Sequence, residues 1–113
     1  MREVVAGVAQ MTGAKIDLHY KRKYPVTVNH PSQTDLATTV AKEIAGDGNV
    51  HEMPPMMGAE DFSYMLEARP GAFIFCGNGN SAGLHHPAYN FDDEAIVFGT
   101  SYWVKLVENT LAA

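Results

Sequence analysis

Two prolines six residues apart, Pro25 and Pro31, enclose the β-branched run Val26-Thr27-Val28, and no other feature restricts the fold as much. Proline lacks an amide proton, fixes its own φ, and drives the residue before it toward extended backbone. Residues 25–31 therefore read as an extended crossing between two structural units rather than as a helix or a regular central strand. Ahead of it, Val4, Val5, Val8 and Met11 recur at helical spacing and Gly13 stops them, which predicts an amphipathic helix over residues 2–12. A helix of that length is not stable alone. Ile16, Leu18 and Tyr20 then alternate with Lys15, Asp17, His19 and Lys21, a period of two that predicts a strand with one buried face, continuing toward Tyr24. His19 falls on the polar face and reads as a solvated residue.

Beyond the crossing, Pro31 and the polar residues after it fit a helix start. Leu36, Val40 and Ile44 form the apolar stripe, and Gly46-Asp47-Gly48 is a strong stop. Residues 49–53 give a weakly signalled short strand, and Pro54-Pro55-Met56-Met57 a loop whose methionines suit gap filling better than metal ligation. A short helix begins around Glu60 and Asp61, with Phe62, Met65 and Leu66 toward the core. Adjacent carboxylates on a helix point about 100° apart, so Glu60 and Asp61 are not an acid–base pair by adjacency alone. Phe73-Ile74-Phe75-Cys76, bounded by Pro70-Gly71 and Gly77-Asn78, has the pattern of a buried strand, with Cys76 a small buried residue at its end. After Asp92 or Asp93 as cap, Ile96, Gly99, Trp103, Val107 and Leu111 give the last helix a wide apolar face, and Gly99 suggests close approach to a sheet. Strands alternating with helices make this an α/β chain.

The chemistry is concentrated in Gly77–Asp93, a strand-to-helix loop that carries Asn78, His85, His86, Asp92 and Asp93. In open α/β sheets ligands bind outside the carboxyl ends of strands. Pro87 holds His86 out of helical geometry, so His85 and His86 are expected to be extended and to point to opposite sides, one of them able to face a pocket. The chain has five histidines and one cysteine but no His-x-x-x-His or Cys-x-x-Cys spacing, so it does not write out a complete zinc site. Gly77-Asn78-Gly79-Asn80 lacks the lysine of a phosphate cradle and reads as a turn.

Thirteen acidic against eight basic residues leave a net charge of −5, and the one basic cluster, Lys21-Arg22-Lys23, sits inside a strand-like run, so a nucleic-acid footprint is not expected. A single cysteine excludes an internal disulfide, and no long apolar stretch or processing site is visible; the expectation is a cytoplasmic protein without membrane contact.

Two separated stretches, Met57-Gly58-Ala59-Glu60-Asp61-Phe62-Ser63-Tyr64 and Gly83-Leu84-His85-His86-Pro87-Ala88-Tyr89-Asn90-Phe91-Asp92-Asp93, resemble the C-terminal part of the zinc-dependent amidohydrolases of the aminoacylase and carboxypeptidase family, the branch of hippurate hydrolase and the indoleacetyl-amino-acid hydrolases. Tyr24-Pro25-Val26-Thr27-Val28-Asn29 is similar to the segment by which those enzymes return from a lid domain to the catalytic domain. The resemblance implies that residues 1–28 are the C-terminal piece of the lid and dimerisation domain, a helix plus a strand. Residues 29–113 would be the C-terminal segment of a helix-flanked catalytic sheet.

The resemblance further implies two divalent metal ions, zinc or manganese, in the complete enzyme, an N-acyl amino acid substrate and a homo-oligomer. His85 matches a metal ligand, His86 a position that receives no metal role, and Glu60, Asp61 and Asn29 the edge of the substrate site. The family's His-Cys-Gly-His-Asp-Gly-His-like stretch, its Glu-Glu pair and a further histidine are absent from this sequence. With one ligand and no general base, the chain is expected to be a fragment that neither hydrolyses amides nor holds metal tightly alone. The alternative is a non-enzymatic α/β dimerisation or interaction module.

Overall fold

Pro31 opens a helix where the sequence demands one, because its missing amide proton is surplus in a first helical turn. In a computed structural model, which describes residues 1–111, helix α1 spans Arg2–Thr12 and α2 spans Pro31–Ala45; α3 covers Phe62–Ala68 and α4 covers Glu94–Leu111. Gly13 ends α1 in the left-handed region, φ 70°, and its amide bonds the Ala9 carbonyl at 2.9 Å. Gly46 ends α2 at φ 84°, its amide bonds the Lys42 carbonyl, and the Asn49 amide side chain takes the Ala45 carbonyl at 2.8 Å. These contacts satisfy carbonyls that a helix end leaves unpaired.

Helix α2 packs on α4, with Val40 fully buried and Ala37 nearly so. Lys105 reaches Glu43 at 3.4 Å along this contact, and Asn109 donates to the same carboxylate at 3.2 Å. In α3, Ser63 and Leu66 are buried. Among the described residues helix α1 packs on no other helix.

The expected α/β fold, a lid helix plus strand followed by a helix-flanked catalytic sheet, is overturned: no strand forms among the described residues. Residues 15–24, 49–53 and 72–76 run without a ladder. A strand differs from a helix in that its main-chain bonds require a second segment of chain, and alternation of side chains does not supply one. Around Phe73 a side chain takes the ladder's place: Asn29 Nδ2 donates to the Phe73 carbonyl and Asn29 Oδ1 accepts its amide, both at 2.8 Å. Beside it the His30 amide donates to the Gly71 carbonyl at 3.0 Å, and the Gly71 amide donates to His30 Nδ1 at 3.2 Å.

Burial departs from the pattern as well. Ile96, Trp103, Val107 and Leu111 are all more than half exposed, whereas Tyr102, Lys105 and Leu106 are half-buried. A Cβ at Gly99 would meet no atom within 4 Å, so that glycine serves no close approach here. Cys76 is exposed rather than buried, and Met65 is also exposed. The radius of gyration is 20.5 Å, against about 13 Å for a compact domain of this length.

Candidate functional site

The loop from Gly77 to Asp93 is built by its own side chains. Asn78 closes it: Nδ2 donates to the Asn90 carbonyl and Oδ1 accepts the Asp92 amide, both at 2.8 Å. Ser81 Oγ accepts the Asn90 amide at 2.9 Å. Gly79, at φ 65°, lies so close to Asp92 that a Cβ would come within 2.9 Å of its carboxylate, so any larger residue there would be strained in the left-handed region and would push the Asp92 side chain aside. Asp92 Oδ1 in turn accepts the Glu94 amide at 3.0 Å and caps the start of α4. A shallow hollow of about 470 Å³ lies on this loop, with Asn78, Asn80, Ser81, Asn90, Asp92 and Asp93 among its lining residues.

His85 occupies a tight turn. The His86 amide bonds the Gly83 carbonyl at 3.2 Å, and His85 stands at φ 66°, the left-handed conformation that the third residue of a type II turn requires. Glycine or asparagine usually fills that position; a histidine there costs on the order of 1 kcal/mol. The expectation of two adjacent extended histidines fails at His85, because the turn closes one residue before Pro87 can act on its neighbour. The two rings are also used differently. His86 Nδ1 accepts the Ala88 amide at 3.0 Å, a bond inside its own turn, whereas the exposed His85 ring forms no hydrogen bond among the described residues.

The other expected site residues stand apart from the hollow. Asn29 is engaged with Phe73, and Asp61 is the exposed residue before α3. Glu60 is half-buried, and its carbonyl accepts the buried Ser63 hydroxyl at 2.6 Å. His19, as expected of a solvated residue, is exposed and meets Asp17 at 3.0 Å. Among the described residues no three His, Cys, Asp or Glu side chains come together to hold a metal ion. His85 is thus a single donor, and the groups present do not by themselves fit a two-metal centre. Among the described residues no helix is long and apolar enough to cross a membrane. Asn78, which reads from sequence as a plain turn residue, is the one that shapes the loop; an asparagine between glycines is the only signal for it.

Residues 3–109 match the family model described as peptidase family M20/M25/M40. The chain belongs to this family. Among curated proteins, hippurate hydrolase of Campylobacter jejuni is 33% identical over 105 residues, covering 92% of this chain and 27% of that enzyme. The putative amidohydrolase YhaA of Bacillus subtilis is 34% identical, with 83% of this chain and 25% of that protein covered. An IAA-amino acid hydrolase of Arabidopsis thaliana, ILR1-like 4, is 34% identical, with 89% and 24% covered. The chain spans about a quarter of the length of these M20/M25/M40 relatives. No solved structure matches it.

Proposed function

We propose that this chain is part of a metal-dependent M20/M25/M40 amidohydrolase acting on N-acyl amino acids, and that His85 is one ligand of its two divalent metal ions. The observation that carries the reading is the contrast between the paired histidines. The His85 ring is exposed and unbonded on a turn held in the left-handed region, while His86 is committed to the Ala88 amide. A backbone conformation that costs energy and presents a metal-ligating ring is the kind of strain found at functional sites. The relatives' names, a hippurate hydrolase and an IAA-amino acid hydrolase, support an amide bond to an amino acid as the target.

In this reading residues 1–28 are the end of a lid and dimerisation domain, residues 29–113 belong to the catalytic domain, and the assembled enzyme is a cytoplasmic homo-oligomer. Glu60, Asp61 and Asn29 lie at the edge of the substrate site. The metal ions would be zinc or manganese, and the remaining protein ligands and the general base would come from outside these residues. Such metals would supply Lewis-acid chemistry to the assembled site, with His85 among the residues that would hold them.

Exchanging residues 3–109 for the matching part of the Campylobacter jejuni hippurate hydrolase tests the assignment. Hippurate turnover and metal affinity should fall in the His85→Ala chimera by more than the ~100-fold that loss of an outer-shell partner costs, and change only a few-fold in His86→Ala. Equal losses in the two variants would remove His85 from the proposed role. A second reading, a non-enzymatic dimerisation or interaction module, would be favoured by a compact, cooperatively melting monomer; the accessible surface of 9751 Å², well above the roughly 6,100 Å² of a compact monomer of this mass, supports the first reading instead.

A further inference from the structure

We propose that Tyr64 is a latch that fixes the direction of residues 1–24 relative to the rest of the molecule, an inference that does not depend on the hydrolase reading. Among the described residues, the hydrogen bond that crosses from residues 1–24 to the remainder is the one from Tyr64 Oη to the Lys23 carbonyl, at 2.6 Å. The Tyr24 ring meets the Tyr64 ring edge-on at the same place, with centroids 5.9 Å apart and planes at 71°. Among the described residues helix α1, at the far end of this arm, packs on no other helix, so no helix–helix contact shares the load.

The two sides of the latch differ in stiffness. Tyr64 stands on α3, which is seated by the fully buried Ser63 and by Leu66 at 5% exposure. The Ser63 hydroxyl donates to the Glu60 carbonyl at 2.6 Å and holds the start of the helix. Phe62, two residues before Tyr64, packs on Phe73 with centroids 5.5 Å apart, and Phe73 is gripped by the Asn29 side chain. On the other side Lys23 lies in a run without a ladder, so its carbonyl is available to a side-chain donor. Pro25 then fixes φ one residue after Tyr24 and keeps Tyr24 out of helical backbone, which gives the chain leaving the latch a set direction. The hydroxyl is therefore the adjustable contact between a seated helix and a long arm.

A pair of nitroxide labels reads the arm directly. The native Cys76 is exposed, and Gln10→Cys on the exposed face of α1 supplies the second site. With the doubly labelled chain diluted into unlabelled chain, pulsed electron resonance records the intramolecular distance alone. Tyr64→Phe keeps the ring and removes the hydroxyl; the fraction of molecules outside the main distance peak should rise about fivefold, the effect of one net hydrogen bond. Exchange protection of the Phe73 amide should stay as in the parent chain, because the seat of α3 is untouched. Tyr24→Leu, which removes the edge contact but not the hydroxyl donor, should broaden the distribution less than Tyr64→Phe. An unchanged distribution in Tyr64→Phe overturns the proposal. So does a broadening accompanied by lost Phe73 protection, since that would mean that α3 itself had come away.

Discussion

Replacing Asn29 by alanine removes both hydrogen bonds that the side chain makes to the Phe73 main chain, each 2.8 Å long and partly buried. A hydrogen bond of this kind contributes a net ~1 kcal/mol. Two give about 2 kcal/mol, which at 1.4 kcal/mol per decade is about a 30-fold change in an opening equilibrium. The assay is hydrogen exchange at the Phe73 amide, whose acceptor is Asn29 Oδ1 itself. Its protection should fall at least about 30-fold in Asn29→Ala, because the amide also loses its acceptor. Asn29→Asp separates the two bonds. A carboxylate oxygen can still accept the Phe73 amide, but the donor to the Phe73 carbonyl is gone and two acceptors face each other, so the loss should lie between the parent and the alanine variant. Asn78→Ala is the control, because it undoes the equivalent clamp on Asn90 and Asp92 and should leave Phe73 protected. Unchanged protection of Phe73 in Asn29→Ala would refute the idea that a side chain replaces the ladder here.

Burial raises the Tyr102 phenol above its ordinary value of 10.0 by disfavouring the phenolate. Above that pH the unfolded chain gives up the proton first and binds fewer protons than the folded one, so the contribution from Tyr102 is intact below pH 10.0 and declines as pH rises toward the folded value. Thermal melts of the parent chain and Tyr102→Phe should converge or cross in this alkaline window; a parent-minus-variant difference independent of pH would contradict it. Size-exclusion chromatography with light scattering at micromolar concentration should give a dimer or larger species, because the chain leaves so much apolar surface open; a compact, cooperatively melting monomer would count against assembly.

The helices were legible and the strands were not, for one physical reason. Every main-chain bond of α2 lies four residues away, so Pro31, the Val40 stripe and Gly46 define it from inside a single window of sequence. The Asp92 cap on α4 is equally local. The alternation of Ile16, Leu18 and Tyr20 states that one face seeks cover but not which chain supplies the opposing amides and carbonyls. The same limit explains the candidate site. His85 could be picked out by residue type and by likeness to a family, whereas its turn depends on the Gly83 carbonyl and the loop on Asn78 reaching Asn90 and Asp92, a closure no periodicity encodes.

The apolar positions that the pattern assigns to a core and the structure leaves in water give a measure of what these residues lack by themselves. Ile96 is 53% exposed, Trp103 64% and Leu111 75%. Against a compact monomer of this mass the chain shows about 3,600 Å² of extra surface, more than the roughly 1,000–2,500 Å² that one partner contributes to an obligate interface. Scattered exposed apolar side chains need no explanation, but an excess of this size on residues spaced for burial does. The stripe on α4 and the face of residues 16–20 have the spacing of buried elements, so the sequence encodes contacts that these residues do not complete among themselves. The candidate site shows the same limit: among the described residues no group of His, Cys, Asp or Glu side chains gathers around His85 to hold a metal ion, and a site drawn from several segments, like a sheet, exists only where those segments meet.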